Sequence, residues 1–187
     1  IAIENVRLFN ETKESLERQT ATAEILKVIA GSPTDVQPAF DAIARHAVRL
    51  CEGMGAAVFR LRDGMMHFVA HHGFEPKAFE LLARQYPLPP RGLMGEALRQ
   101  RVVVHTPDML SDPRTANKDL AKALQSRGFV AVPMLREGEP IGAIVVFRKQ
   151  ASPFSDAHIA VMTTFADQAV IAIENVRLFN ETKESLE

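Results

Sequence analysis

The last seventeen residues, Ile171 to Glu187, read IAIENVRLFNETKESLE, and the first seventeen, Ile1 to Glu17, are the same string letter for letter. An identity of that length lies beyond chance, and its offset, from Ile1 to Ile171, is 170 residues. Repetition of this kind constrains an architecture before any local signal does. The string holds no Gly or Pro and is rich in Glu, Lys, Arg and Leu, so it predicts a helix at each end. A helix that closes one domain and opens the next belongs to a tandem array; an engineered duplication would leave the same trace. Either origin leaves one domain in the middle. The chain then divides into a linker or signalling helix over 1–30, a domain over 31–170 and a second linker helix over 171–187.

The middle segment is close to the commonest size for one compact domain, and 47% apolar residues suffice for its core. A net charge of −1 gives no electrostatic footprint for nucleic acid or an anionic membrane. With no Trp and one Tyr, the chain also lacks stacking platforms for single strands. No uninterrupted apolar run approaches 18 residues and no signal-peptide pattern opens the chain, so no membrane partner is expected and a cytoplasmic setting is. The lone Cys51 excludes an internal disulfide and any multi-cysteine metal site.

The first helix is expected from about Ile1 to Ala30. On it Ala2, Val6, Phe9, Lys13, Leu16, Thr20 and Ala23 recur with 4,3 spacing, and Phe165, Ala169, Ala172, Val176, Phe179, Lys183 and Leu186 continue the phase at the other end. This is a heptad-like stripe. Phe165 to Ile173 is read as packing on the domain's own sheet. Beyond Val176 the helix is expected to have left its domain, so that Val6, Phe9, Leu16, Val176, Phe179 and Leu186 form the seam of a parallel homodimer.

Gly31, Ser32 and Pro33 end the first helix, and Thr34 or Asp35 caps a second, whose Phe40, Ile43, Ala44, Ala47, Val48 and Cys51 fall at helical spacing. Ala56–Leu61 and Met65–His72 predict a hairpin turned by Arg62-Asp63-Gly64. Short helices are expected over Glu75–Tyr86, Leu93–Arg99 and Asp119–Ser126, with a Pro-rich loop at Pro87–Arg91, a short strand at Val102–His105 and a loop from Pro107 to Ala116. Phe129–Leu135 and Ile141–Arg148 form the strongest hairpin, and Pro153 to Asp156 start the long final helix. The fold class is therefore α+β: a mostly antiparallel sheet of five or six strands, long N- and C-terminal helices on one face, and loops and short helices on the other. Residues 75–127 cover that second face, and binding chemistry concentrates in loops laid over a rigid scaffold.

FVAVPMLREGEPIGAIVVFRK, from Phe129 to Lys149, resembles the signature hairpin of GAF domains. PFSDAHIAVMTTFADQAVIAIENVRLF, from Pro153 to Phe179, is similar to the closing helix of GAF units in bacterial signalling proteins. Ile25 to Arg60, and RGLMGEAL followed by VVVHTPDML, match the same family, so the resemblance spans essentially the whole chain. It implies a sensory module that binds a small molecule or dimerises and signals along its terminal helices. Similar units occur in tandem ahead of histidine kinase or nucleotide cyclase output domains, which the resemblance makes the expected partners. Its ligands range over cyclic nucleotides, tetrapyrroles, haem and small metabolites, so the cofactor is left unknown. A ligand-free spacer that only sets the length and phase of a coiled linker is the alternative.

The cyclic-nucleotide-binding members carry an Asn-Lys, a later Phe and an Asp-Glu. Here Asn117-Lys118 and Phe129 are present, but Val130 to Pro133 follow where the acidic pair would stand. The bilin-binding members attach pigment through a Cys in the pocket-covering region, and residues 75–128 contain none. The family's sulfoxide reductases need several reactive cysteines, and no nucleophile stands at a recognisable elbow; no enzyme is expected. Strand alternation predicts that His67 and His71 share one face, but no carboxylate stands beside them at metal-ligand spacing, so no metal site is assigned. Methionines and aromatics gather around the proposed pocket, suiting an adaptable apolar site. The expected pocket residues are Phe59, Phe68, Met94, Phe129 and Met134, with His71, His105, Asp108 and Arg114 as polar anchors.

Overall fold

The computed structural model describes residues 1–186; Glu187, the last residue of the repeated string, lies outside them. Helix α1 runs Ala2–Gly31 and α2 runs Gln37–Leu50. The Asp35 side chain accepts from the Gln37 amide where α2 begins. Strands β1 (Gly55–Arg62) and β2 (Met65–His72) form the first hairpin, followed by α3 (Pro76–Ala83), α4 (Gly92–Gln100), β3 (Val104–Thr106) and α5 (Lys118–Ala123). β4 (Gly128–Arg136) and β5 (Glu139–Arg148) form the second hairpin, and α6 spans Asp156–Glu184. Ser155 caps α6 in a reciprocal box: its hydroxyl accepts from the His158 amide, and its own amide donates to His158 Nδ1.

The five strands form one antiparallel sheet in the order β2-β1-β5-β4-β3. Period-two alternation splits the core between its faces. Ala56, Val58, Val130, Val132, Ile144 and Val146 point toward α1, α2 and α6, meeting Ile25, Phe40, Ile43, Met162 and Phe165. Ala57, Phe59, Phe129, Ala131, Val145 and Phe147 point toward α3, α4 and α5. Gly142 is required where β5 crosses β1, because a Cβ there would stand 2.2 Å from the Phe59 carbonyl oxygen.

One local feature overturns a sequence expectation. Opposite β1 the register of β2 jumps, from Val58 facing Ala70 to Phe59 facing Phe68, leaving Val69 bulged. The bulge reverses the alternation, so His71 stays with Ala57 on the α3–α5 side while His67 pairs with Arg60 on the opposite face. The expected His67–His71 pairing is lost.

Helices α1 and α6 lie side by side and point the same way. Glu14 and Glu17 share a groove with Ala157 and His158, and the Thr22 carbonyl accepts from Gln168. The core takes Ala21, Ile25 and Ile29 from α1 and Val161 to Ile173 from α6. The first turns of α1 and the last turns of α6 therefore run out beyond the core at opposite ends. On these extensions Val6 (60% exposed), Phe9 (70%), Leu16 (60%), Phe179 (44%) and Leu186 (83%) are in solvent, while Val176 is half-buried. By length and composition α6 could cross a membrane, and 44% of its most apolar stretch is buried inside the fold.

Candidate functional site

A cavity of about 90 Å³ opens between the sheet and the short helices. Phe59, Phe129, Val145 and Phe147 floor it, Leu93 and Met94 of α4 form one wall, and Leu120, Ala121 and Leu124 of α5 the other. Tyr86, Leu88, Arg91, Thr115, Ala116 and Asn117 complete the lining. Rings hold the floor: Phe59 lies 4.6 Å from Tyr86 and 5.2 Å from Phe68, and Phe129 meets Phe147 edge-on at 5.2 Å.

The Pro-rich segment is fixed where it crosses the edge strand. Met66 and Leu88 exchange backbone hydrogen bonds of 2.8 and 3.3 Å, which hold Tyr86, Leu88 and Arg91 over the cavity. At Gly92 φ is +62°, and a Cβ would come within 2.8 Å of the Ala116 methyl. That position demands glycine, and its close approach brings the start of α4 against the loop carrying Thr115.

Burial pushes the Tyr86 phenol up to about 12, with the Arg91 charge opposing. Thr115 Oγ1 is buried and has no hydrogen-bond partner among the described residues. Asn117 is already used: its side-chain oxygen caps α5 by accepting from the Leu120 amide at 2.9 Å. The cap is a structural use for one half of the Asn-Lys pair.

Of the nine expected pocket residues, Phe59, Met94 and Phe129 line the cavity, and Phe68 packs directly behind Phe59. The other five are corrected. Met134 is fully buried on the opposite face, against the long helices, because its place in β4 has the parity of Val130 and Val132. His105 lies between inward-facing Val104 and Thr106 and is exposed. His71 sits at the outer edge of the cavity's side of the sheet, stacked on Phe79 at 4.0 Å. Asp108 and Arg114 build the loop instead of facing the cavity. Asp108 holds the Arg127 guanidinium through both oxygens at 2.7 and 2.6 Å, which draws its carboxyl down to about 2. Arg114 pairs with Asp112 at 2.7 Å and donates to the His105 carbonyl. Tyr86, Arg91 and Thr115 line the cavity without standing among the expected residues. The only sequence signal for them was the Pro-rich run and the glycine at 92, which mark a constrained loop without showing what it overhangs.

Cys51 is buried in the helix-side core, where burial pushes its thiol up to about 12. Among the described residues, no group of three or more His, Cys, Asp and Glu side chains could hold a metal ion.

The family pattern of the GAF domain matches residues 33–174. The chain belongs to the GAF domain family. No curated protein matches it in sequence. Its fold is similar to the GAF domain of a phosphoenolpyruvate-protein phosphotransferase from Coxiella burnetii, with 16% identity, a TM-score of 0.74, and coverage of 89% of this chain and 98% of that one. A GAF domain/HD domain protein from Geobacter sulfurreducens is 26% identical, with a TM-score of 0.68 over 80% of this chain and 98% of that one. A free methionine-R-sulfoxide reductase from Neisseria meningitidis, solved with its substrate, is 17% identical, with a TM-score of 0.72 over 89% and 93%. GAF domains are generally small-molecule-binding signalling modules.

Proposed function

We propose that this GAF domain is a sensory module in which a small molecule occupies the cavity above the sheet and shifts the long helices below it. One observation carries the reading. The cavity floor (Phe59, Phe129, Val145, Phe147) and the helix-facing residues (Val58, Val130, Ile144, Val146) alternate on the same three strands. A displacement of the floor is therefore a displacement of the surface on which α6 rests, and packed cores transmit such shifts between discrete arrangements.

The extensions of α1 and α6 suit a parallel homodimer whose seam is Val6, Phe9, Leu16, Val176, Phe179 and Leu186. Continuous helices through successive units suit a tandem array as well. The string that leaves at the end of α6 is the one that enters at the start of α1, and the two helices are parallel. A kinase or cyclase output domain and a cytoplasmic setting complete this reading. The buried Cys51 and the absence of cysteine from the cavity lining favour a regulatory role over the reductase chemistry of the Neisseria protein. The open cavity favours a sensor over a spacer, which would fill it.

Phe179→Glu tests the dimer. Sedimentation velocity is expected to show a dimer for the unaltered chain and a monomer for the variant, with unchanged circular dichroism. A variant that remains dimeric removes the seam from the account.

A further inference from the structure

The cavity lining is mainly apolar, with Tyr86, Arg91, Thr115 and Asn117 as its polar members. Arg91 lines the cavity, is exposed, and has no carboxylate partner among the described residues. In the same lining the buried Thr115 hydroxyl lacks any partner among the described residues, and an orphaned buried hydroxyl is costly unless something else meets it. Helix α4 begins directly after Arg91, with Gly92 packed against Ala116. Its N-cap is Arg91, whose side chain makes no capping bond, so the amides of the first turn are left open beside the cavity. The nearby carboxylates are engaged elsewhere: Asp112 holds Arg114 at 2.7 Å, and Glu96 lies 3.6 Å from the same guanidinium. An unpaired guanidinium and a helix start favour an anion there, and the orphan hydroxyl is free to donate to one.

The interior sets the size. A dry cavity of about 150 Å³ accepts benzene, so one of about 90 Å³ takes roughly four carbons. We propose that the cavity binds a compact aliphatic carboxylate. Its hydrocarbon part lies on Phe59, Phe129 and Val145, and its carboxylate is held by Arg91, the Thr115 hydroxyl and the first turn of α4. The assignment rests on the sensory reading above and names the chemical class of the ligand.

The test is calorimetric titration of the full chain with isovalerate and with its neutral isostere 3-methylbutanamide, each taken to about 10 mM, where even a millimolar site saturates. Isovalerate is expected to bind at least tenfold more tightly than the amide. Arg91→Ala removes a charge-assisted contact and is expected to weaken isovalerate by roughly ten- to a hundredfold, leaving the amide unchanged. Thr115→Val, an isosteric exchange, is expected to weaken isovalerate while raising the unfolding midpoint of the free protein, since it deletes an unpaired buried hydroxyl. Equal binding of acid and amide, or an Arg91→Ala variant that binds isovalerate as the parent does, overturns the carboxylate assignment and leaves the pocket standing. Binding of neither probe also overturns the assignment. The pocket reading itself fails only if residues 88–94 and 115–124 stay unprotected from hydrogen exchange in a broad metabolite mixture.

Discussion

Arg148 joins the sheet to the helices that would carry a signal, and its removal has a calculable cost. Its side chain is buried at the end of β5. Nε and Nη2 donate to the Cys51 carbonyl at 3.0 and 2.7 Å, and Nη1 donates to the Pro153 carbonyl at 2.7 Å. Nη2 also reaches His158 Nδ1 at 3.1 Å, and the guanidinium lies 3.9 Å above the Phe154 ring. One residue thus ties the end of α2 and the start of α6 to the sheet. Arg148→Met keeps the aliphatic length and removes every donor, orphaning two carbonyls at ~1–3 kcal/mol each. Relief from burying a charge offsets part of that loss, so the net cost is set at about 3 kcal/mol. For a domain of this size that lowers the thermal midpoint by roughly 6–12 °C. Arg136→Met, which breaks only the exposed pair with Glu174, is the control and should cost under ~1 kcal/mol. Scanning calorimetry of both variants decides. An Arg148→Met midpoint within about 2 °C of the parent would refute the view that this residue holds the two layers together.

Two further perturbations test the fold around the site. Burial, helped by the Arg148 charge, holds His158 below its usual 6.5. Both states carry neutral His158 above that pH. As pH falls below it, the unfolded chain takes up the proton first, so stability should decline until the folded-state value is passed. Urea unfolding at pH 7.5 and 5.5 is expected to show this loss, with a smaller one in His158→Gln; equal slopes in the two proteins would contradict the assignment. Gly142→Ala places a methyl against the Phe59 carbonyl and should cost about 3 kcal/mol through overpacking, visible as a lowered urea midpoint. An unchanged midpoint would show that β1 and β5 can part at that crossing without cost.

The elements were legible because their signals are local. Alternation in Met65–His72 and in Phe129–Leu135, the Pro-Phe-Ser-Asp start of α6 and the unbroken helical phase of both termini each specify structure within a few residues. The site was legible only in part, because a pocket depends on which face each residue takes. Phe59 and Phe129 follow from their strands' alternation, whereas the bulge at Val69 reversed the parity of β2, and nothing in the letters marks it. Composition alone suggests Met134 for the pocket, whereas its parity within β4 puts it with Val130 and Val132. Asp108 and Arg114 have the chemistry of ligand anchors, yet each found a partner nearby, Arg127 and Asp112, that a linear reading does not pair. Thr115 carries no signal at all until α4 and its loop are brought together in space.

The central claim is that cavity and terminal helices are coupled. It is tested most directly by hydrogen–deuterium exchange of the full chain, with and without a filtered small-molecule fraction from a bacterial lysate. The account predicts that residues 88–94 and 115–124 gain protection and that exchange along 174–184 of α6 changes in the same sample. Protection of the cavity segments with no change in 174–184 would contradict it.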